Sequence, residues 1–216
     1  MIVYGSSISP FVRKVLAFGA EKGLELEHRA LGLGSTDPDF IDASPFRKIP
    51  GFQDGDFKIC DSSAIVHYLD TKYPEPRLIP EGAEAKARTI WYEEFADTIL
   101  MGCGGKIFFN RVVAPRFLGR PGDLEVADKA EKEELPPILD YLETVVPDDG
   151  GFLVGDTITL ADIAVASPFA NLSYMDLPWD AARHPRTRAY VQRILARPSF
   201  ATWVERERAF LTQAAA

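Results

Sequence analysis

The chain has 216 residues, 46% of them hydrophobic and 26% charged, which is the composition of a folded globular protein long enough for one large domain or two small ones. A formal net charge of -8, with no basic stripe, argues against a nucleic-acid partner. No apolar run reaches membrane-span length, the N-terminus lacks a signal-peptide pattern, and Cys60 and Cys103 are far apart with no His or Cys at metal-ligand spacing, so a cytoplasmic protein without metal or membrane partner is expected.

In chain order, Met1-Ile2-Val3-Tyr4 reads as a buried strand, Pro10 to Lys22 as an amphipathic helix stopped by Gly23, and Leu24 to Ala30 as a second strand. A loop with Gly32 and Gly34 leads to a short helix from Pro38 to Ala43. Two short strands follow, Gly51 to Gln53 and Phe57 to Cys60, joined by Asp54-Gly55, then a helix from Ser62 to about Tyr73. Cys60 ends an apolar run and reads as core. Pro74, Pro76, Pro80 and Gly82 then make a stiff, helix-poor stretch. The predicted division is an α/β domain over 1–75, a linker over 76–82 and an all-helical domain over 83–216.

In the second half the helical periodicity covers Ala83 to Arg111, Asp123 to Val146, Leu160 to Tyr174, Pro185 to Ala196 and Phe200 to Leu211, and the Ala214-Ala215-Ala216 end is of low complexity. Thr159 and Asp162 have capping-box spacing, with Ile158 and Ile163 placed as a hydrophobic staple, a structural device rather than a catalytic one. The cluster Gly102-Cys103-Gly104-Gly105 is unusual inside a helix and marks a kink or a close helix approach.

The chemistry concentrates in the first half. In Asp61-Ser62-Ser63-Ala64-Ile65, Ser62 is placed to cap the following helix, whose N-terminal N–H groups and dipole suit a carboxylate, while Asp61 beside it suits an ammonium. Both charges on one carbon make an α-amino acid head group, such as the γ-glutamyl end of glutathione. Ser9, immediately before Pro10, falls at an N-cap. Two readings are open there: a plain cap, or a hydroxyl that donates to a bound thiolate and favours its ionised form. Ser6 and Ser7 are rival donors, and Tyr4 is read as packing. The Ile49-Pro50 bond stands before a strand where a cis geometry would let the main chain of Ile49 pair with an extended peptide ligand. Lys48 can reach a ligand carboxylate or remain solvated.

Taken in order, these segments resemble the soluble glutathione S-transferase superfamily over essentially the whole chain. Ser9-Pro10-Phe11-Val12-Arg13-Lys14-Val15 looks like its serine-type first helix, nearest to tau-like and bacterial forms, and Lys48-Ile49-Pro50 like its cis-proline loop. Asp61-Ser62-Ser63-Ala64-Ile65 looks like its glutamyl-binding motif, and Gly155-Asp156 through Asp162 like its helix-capping signature. The resemblance implies a thioredoxin-like domain followed by a helical domain, a homodimer, glutathione on the first domain and a small hydrophobic electrophile between the two. It makes Ser9 the thiolate-stabilising hydroxyl, Ile49 the main-chain partner of the cysteinyl unit, Pro50 the cis residue, and Asp61 and Ser62 the γ-glutamyl ligands. Asp61 departs from the commoner glutamate and Arg47 from a small residue. The serine-cysteine signature of the zeta-class isomerases and the first-helix cysteine of omega members are absent.

Phe11, Phe108 and Arg111 are the candidates for the electrophile pocket, since aromatic walls and one cation suit an apolar molecule with a polar handle. For Phe108 and Phe109 bundle core is the favoured reading, and Arg111 reads equally as a surface or inter-helix ion pair. The expected function is conjugation of glutathione thiolate to small hydrophobic electrophiles. The rivals are a non-catalytic binding or regulatory protein of the same fold, and a pathway-specific glutathione-dependent lyase, dehalogenase or isomerase. His28, His67 and His184 have no spacing that assigns them a role.

Overall fold

The computed structural model describes all residues except 33, 149, 176, 178–181 and 214–216, so the terminal alanine run lies outside the described residues. Four strands, β1 (Ile2–Tyr4), β2 (Glu27–Arg29), β3 (Gly51–Asp54) and β4 (Phe57–Cys60), form one sheet in the order β2-β1-β3-β4. β1 pairs parallel with β2, Ile2 opposite Glu27, and antiparallel with β3, Val3 opposite Phe52; β4 pairs antiparallel with β3.

Helix α1 (Pro10–Glu21) links the parallel pair, and with α3 (Ser62–Lys72) it buries Val12, Val15, Leu16, Ile65, Val66 and Leu69 with Val3 and Phe52 of the sheet. Helix α2 (Pro38–Ala43) contributes Phe40 and Ala43 to a separate cluster with Tyr4. This is a thioredoxin-like arrangement.

β2 starts later than the sequence pattern suggests because Leu24 closes α1. Its N–H donates to Gly19 O at 2.9 Å, that of Gly23 to Ala20 O at 3.0 Å, and Gly23 has φ +68. Leu24 is thereby held in a Schellman turn and is withheld from the ladder. Cys60, at the end of β4, is half-buried rather than core.

The stretch after α3 is bonded on both sides. Leu78 and Ile79 are buried in the main core, Lys22 Nζ donates to Asp70 Oδ1 and to Pro76 O at 2.7 Å each, and Leu160 N donates to Leu78 O at 2.9 Å. Proline density gave it the look of a spacer, but two apolar residues between the prolines tie it down.

All further described elements are helical: α4 over 83–117, α5 over 124–145, α6 (Leu160–Ser173), α7 (Pro185–Leu195) and α8 (Pro198–Gln213). α4 and α5 contain widened π turns at Phe109–Val113 and Ala130–Glu134, which contain the residues four before Pro115, Pro136 and Pro137. There the proline ring would strike the carbonyl of an ordinary α-turn. A third π turn, Phe95–Leu100, precedes the glycine cluster. A methyl on Gly104 would meet Leu172 Cδ2 at 3.6 Å, an ordinary contact, so close helix approach does not explain that glycine.

Helix α6 is buried almost all round and packs on α1 and α4. Its capping box is formed, and Asp162 does more than cap. It accepts from Thr159 N at 2.9 Å, Leu153 N at 2.8 Å and Tyr190 Oη at 2.7 Å, so one fully buried carboxylate ties α6 to α7 and to the preceding loop.

Candidate active site

Ser9 occupies the N-cap of α1 with φ -67 and ψ 124, yet its side chain makes no capping bond. Of the two readings of this hydroxyl, the plain cap is therefore not the one observed. Its backbone is held by Ser9 N donating to Ser6 O and by Arg13 N donating to Ser9 O, both at 3.0 Å. Ser6, Ser7 and Ser9 are all half-buried. Tyr4 is buried and donates to Gln53 Oε1 at 2.6 Å, as a packing residue.

The loop before Ser9 lies against the Ile49-Pro50 segment, whose peptide bond is cis. Gly5 has φ +129, and a methyl there would sit 2.7 Å from Ile49 Cβ and 2.9 Å from Val12 Cγ2. Only glycine allows both the backbone conformation and the close approach. The Lys48 side chain is exposed, but its main chain is pinned: the Ser44 hydroxyl donates to Lys48 O at 2.7 Å and accepts from Lys48 N at 3.0 Å.

At the start of α3 the capping assignment needs correction. Asp61, not Ser62, is the N-cap: its Oδ1 accepts from Ser63 N at 3.0 Å and Ala64 N at 3.1 Å, and Ser62 is the first helical residue, nearly buried. Asp61 has φ +80, a conformation that Asp and Asn adopt more readily than most residues. It is exposed, whereas Ser62 is buried.

Phe11 is half-buried on α1. Phe108 is 7% exposed and packs with Val112 and Leu211, with Ile8, the neighbour of Ser9, against the same cluster. Arg111 resolves to the ion-pair reading, since its Nη2 lies 2.7 Å from Asp128 Oδ1 and 2.5 Å from Glu131 Oε2. Two carboxylates of α5 hold it in place. Phe109 is exposed beneath the Arg120 guanidinium.

Sequence reading overlooked two buried cations of α1. Lys14 Nζ lies 2.9 Å from Glu93 Oε1 and 2.5 Å from Asp97 Oδ2, and the Ser63 hydroxyl donates to Asp97 Oδ2 at 3.4 Å. Burial raises both carboxyls, yet they end on opposite sides of their ordinary values. Burial pushes Glu93 up, but His67, 3.7 Å away, and the Lys14 ammonium, which donates to it at 2.9 Å, outweigh that and hold the group at about 2; burial leaves Asp97 raised. Arg13 is fully buried against Glu207. The available signal was position: Arg13 and Lys14 lie three and four residues after Pro10, on the face of α1 that turns inward. A cavity of about 280 Å³ between α3 and the 76–82 stretch, lined by His67, Asp70, Arg77 and Lys86 among others, contains none of the predicted site residues.

A thioredoxin-like domain with a serine ahead of its first helix, a cis-proline loop beside it and a helical domain behind defines the architecture of soluble glutathione S-transferases. The family model for the glutathione S-transferase N-terminal domain matches residues 3–77, and that for the C-terminal domain matches residues 120–207. The chain is 32% identical over 204 residues to glutathione S-transferase 3 of Zea mays, covering 92% of this chain and 90% of the relative. It is 30% identical to human glutathione S-transferase theta-1, covering 94% and 80%. A glutathione S-transferase of Methylobacterium radiotolerans, solved in complex with glutathione sulfonate, superposes with a TM-score of 0.76 at 28% identity, covering 94% of this chain and 93% of that one. The chain belongs to the glutathione S-transferase family, a family of transferases.

Proposed function

We propose that this protein binds glutathione on its first domain, residues 1–75, and directs the thiolate onto a small hydrophobic electrophile. The observation that carries this reading is the Ser9 hydroxyl, which sits at the N-cap of α1 without serving as the cap. Donating to a bound sulfur, it would favour the thiolate over the thiol, with the N-terminal end of α1 contributing in the same sense. The main chain of Ile49 pairs with the cysteinyl unit, Lys48 reaches the free carboxylate of the tripeptide, and Asp61 and Ser62 receive the γ-glutamyl head group. The Asp61 cap leaves one of its carboxylate oxygens for the ammonium, because a single oxygen, Oδ1, accepts both helix N–H groups.

The electrophile lies against Phe11 and the apolar cluster of Phe108 and Ile8. Attack of the thiolate on an electrophilic carbon forms the C–S bond, and the bonding pair departs with the leaving group or moves onto the acceptor in an addition. Catalysis then consists of thiolate stabilisation and proximity. A cytoplasmic homodimer is the expected form.

Two measurements on the purified protein test the reading: calorimetric titration with glutathione, and turnover of an activated aryl halide. Binding together with turnover is the expected result. Binding without turnover on any aryl halide or epoxide tried would favour a non-catalytic module, and no binding would remove the proposal.

A further inference from the structure

The carbonyls of the two residues that flank Ser9, Ile8 and Pro10, are held by the helical domain. On one side the Ile8 carbonyl accepts from Asn171 Nδ2 at 2.9 Å and from Arg13 Nη2 at 3.3 Å. On the other the Pro10 carbonyl accepts from the Ser167 hydroxyl at 2.7 Å. Ser167 and Asn171 are four residues apart on α6, one turn of a single helix face, and both are nearly inaccessible to solvent.

The orientation of Asn171 is itself fixed. Arg13 Nη1 donates to Asn171 Oδ1 at 3.0 Å and to Ser167 O at 2.6 Å, which leaves the amide nitrogen of Asn171 turned to Ile8. Arg13 in turn is held by Glu207 of α8, with Nε donating to Oε2 at 3.0 Å and Nη2 to the same oxygen at 2.5 Å. Tyr174 Oη adds a bond to Glu207 Oε2 at 2.6 Å. A buried guanidinium with one carboxylate partner must have its remaining donors satisfied, and here they are spent on α6 and on the loop before Ser9.

We propose that Ser167 and Asn171 are positioning residues for the reaction: by donating to the Pro10 and Ile8 carbonyls they fix the backbone of Ser9, with the Arg13–Glu207 pair orienting Asn171. The inference rests on the reading of Ser9 as thiolate donor. The Ser6 carbonyl and the first turn of α1 hold Ser9 from within the first domain, and α6 adds the bonds to the flanking carbonyls, so the helical domain acts on the sulfur as well as on the electrophile. A hydroxyl that must point at a sulfur is sensitive to small backbone displacement, since a misplacement near 1 Å costs on the order of 100-fold in rate.

The test uses Asn171→Asp, which keeps the oxygen that faces Arg13 and removes the donor to Ile8, and Ser167→Ala, which removes one hydroxyl. Each is compared with wild type and Ser9→Ala in melting temperature, in kcat and KM for glutathione, and in the pH dependence of kcat/KM for the electrophile at saturating glutathione. The expected result is kcat lowered about tenfold in each positioning variant, KM for glutathione within about twofold of wild type, and an acid limb of the pH profile moved towards the free thiol value. Folded variants with wild-type kcat and pH profile would overturn the inference while leaving Ser9 in place. If Ser9→Ala itself behaves as wild type, the reading of Ser9 fails first and takes the inference with it. Should one variant not fold, the other decides, because each removes a different one of the two bonds.

Discussion

At the scale of single residues the proposed site separates into groups that would hold glutathione and one that would act on its sulfur. A hydrogen bond to a charged group contributes about 1.5–3 kcal/mol, so Ser9→Ala is expected to lower turnover roughly ten- to a hundredfold while glutathione affinity changes much less. Equal losses of turnover and affinity would contradict that division. The cap that Asp61 makes and its proposed contact to the ammonium can be separated. Asp61→Asn keeps an oxygen for the Ser63 and Ala64 N–H groups and tolerates a φ of +80, so it should weaken glutathione binding without moving the melting temperature. Asp61→Ala removes the cap as well and should cost about 0.5–2 kcal/mol of stability besides. A matched loss of stability in both variants would show that the charge, not the cap, holds α3. The cap was legible only in part. A short acid and two serines before an apolar run announce a helix start, but which of them caps depends on the left-handed backbone at Asp61, which no periodicity encodes.

At the scale of elements, most helices and strands could be read from spacing, and the differences have local causes. The end of α1 captured Leu24 and shortened β2, and prolines widened the turns of α4 and α5 without ending either helix, because the π turns absorb the clash. Arg111 could not be placed from sequence because a cation on a helix face serves a pocket or a neighbouring helix equally well until the neighbour is known. Now that Asp128 and Glu131 are its partners, Arg111→Gln should cost at most about 1 kcal/mol of stability, the scale of a partly exposed pair, and leave KM for a hydrophobic electrophile unchanged. A raised KM, measured in a steady-state series over several electrophiles, would return Arg111 to the pocket. Asp162 is the opposite case: buried with bonds from Leu153, Thr159 and Tyr190, it should be far more costly to lose than a simple cap, and Asp162→Ala is expected to abolish folding at 37 °C.

At the scale of the whole molecule, α1 is the member shared by the two domains. It presents an apolar face to the sheet and two buried cations to the helices, Lys14 to Glu93 and Asp97 of α4 and Arg13 to Glu207 of α8. Such networks escape a reading by apolar periodicity, because long cationic side chains count as surface until their partners are placed. Their consequence is a pH dependence of stability. Glu93 is held at about 2 against an ordinary 4.5, so its contribution is complete above pH 4.5 and is lost as the pH falls towards 2. The shift corresponds to roughly 3 kcal/mol. Denaturant unfolding of Glu93→Gln should therefore show lower stability at neutral pH and a flatter profile across that acid window than wild type; parallel profiles would remove Glu93 as the source.

The proposed role of Ser9 is to hold the sulfur of bound glutathione as thiolate. It is tested most directly by an ultraviolet difference titration of the thiolate band on the protein, wild type against Ser9→Ala, over pH 5 to 9. The predicted result is a bound thiol that ionises well below its free value of about 8.5 in wild type and returns towards it in the variant. A bound thiol that ionises at its free value in wild type, or a depression that survives removal of the hydroxyl, would contradict the claim.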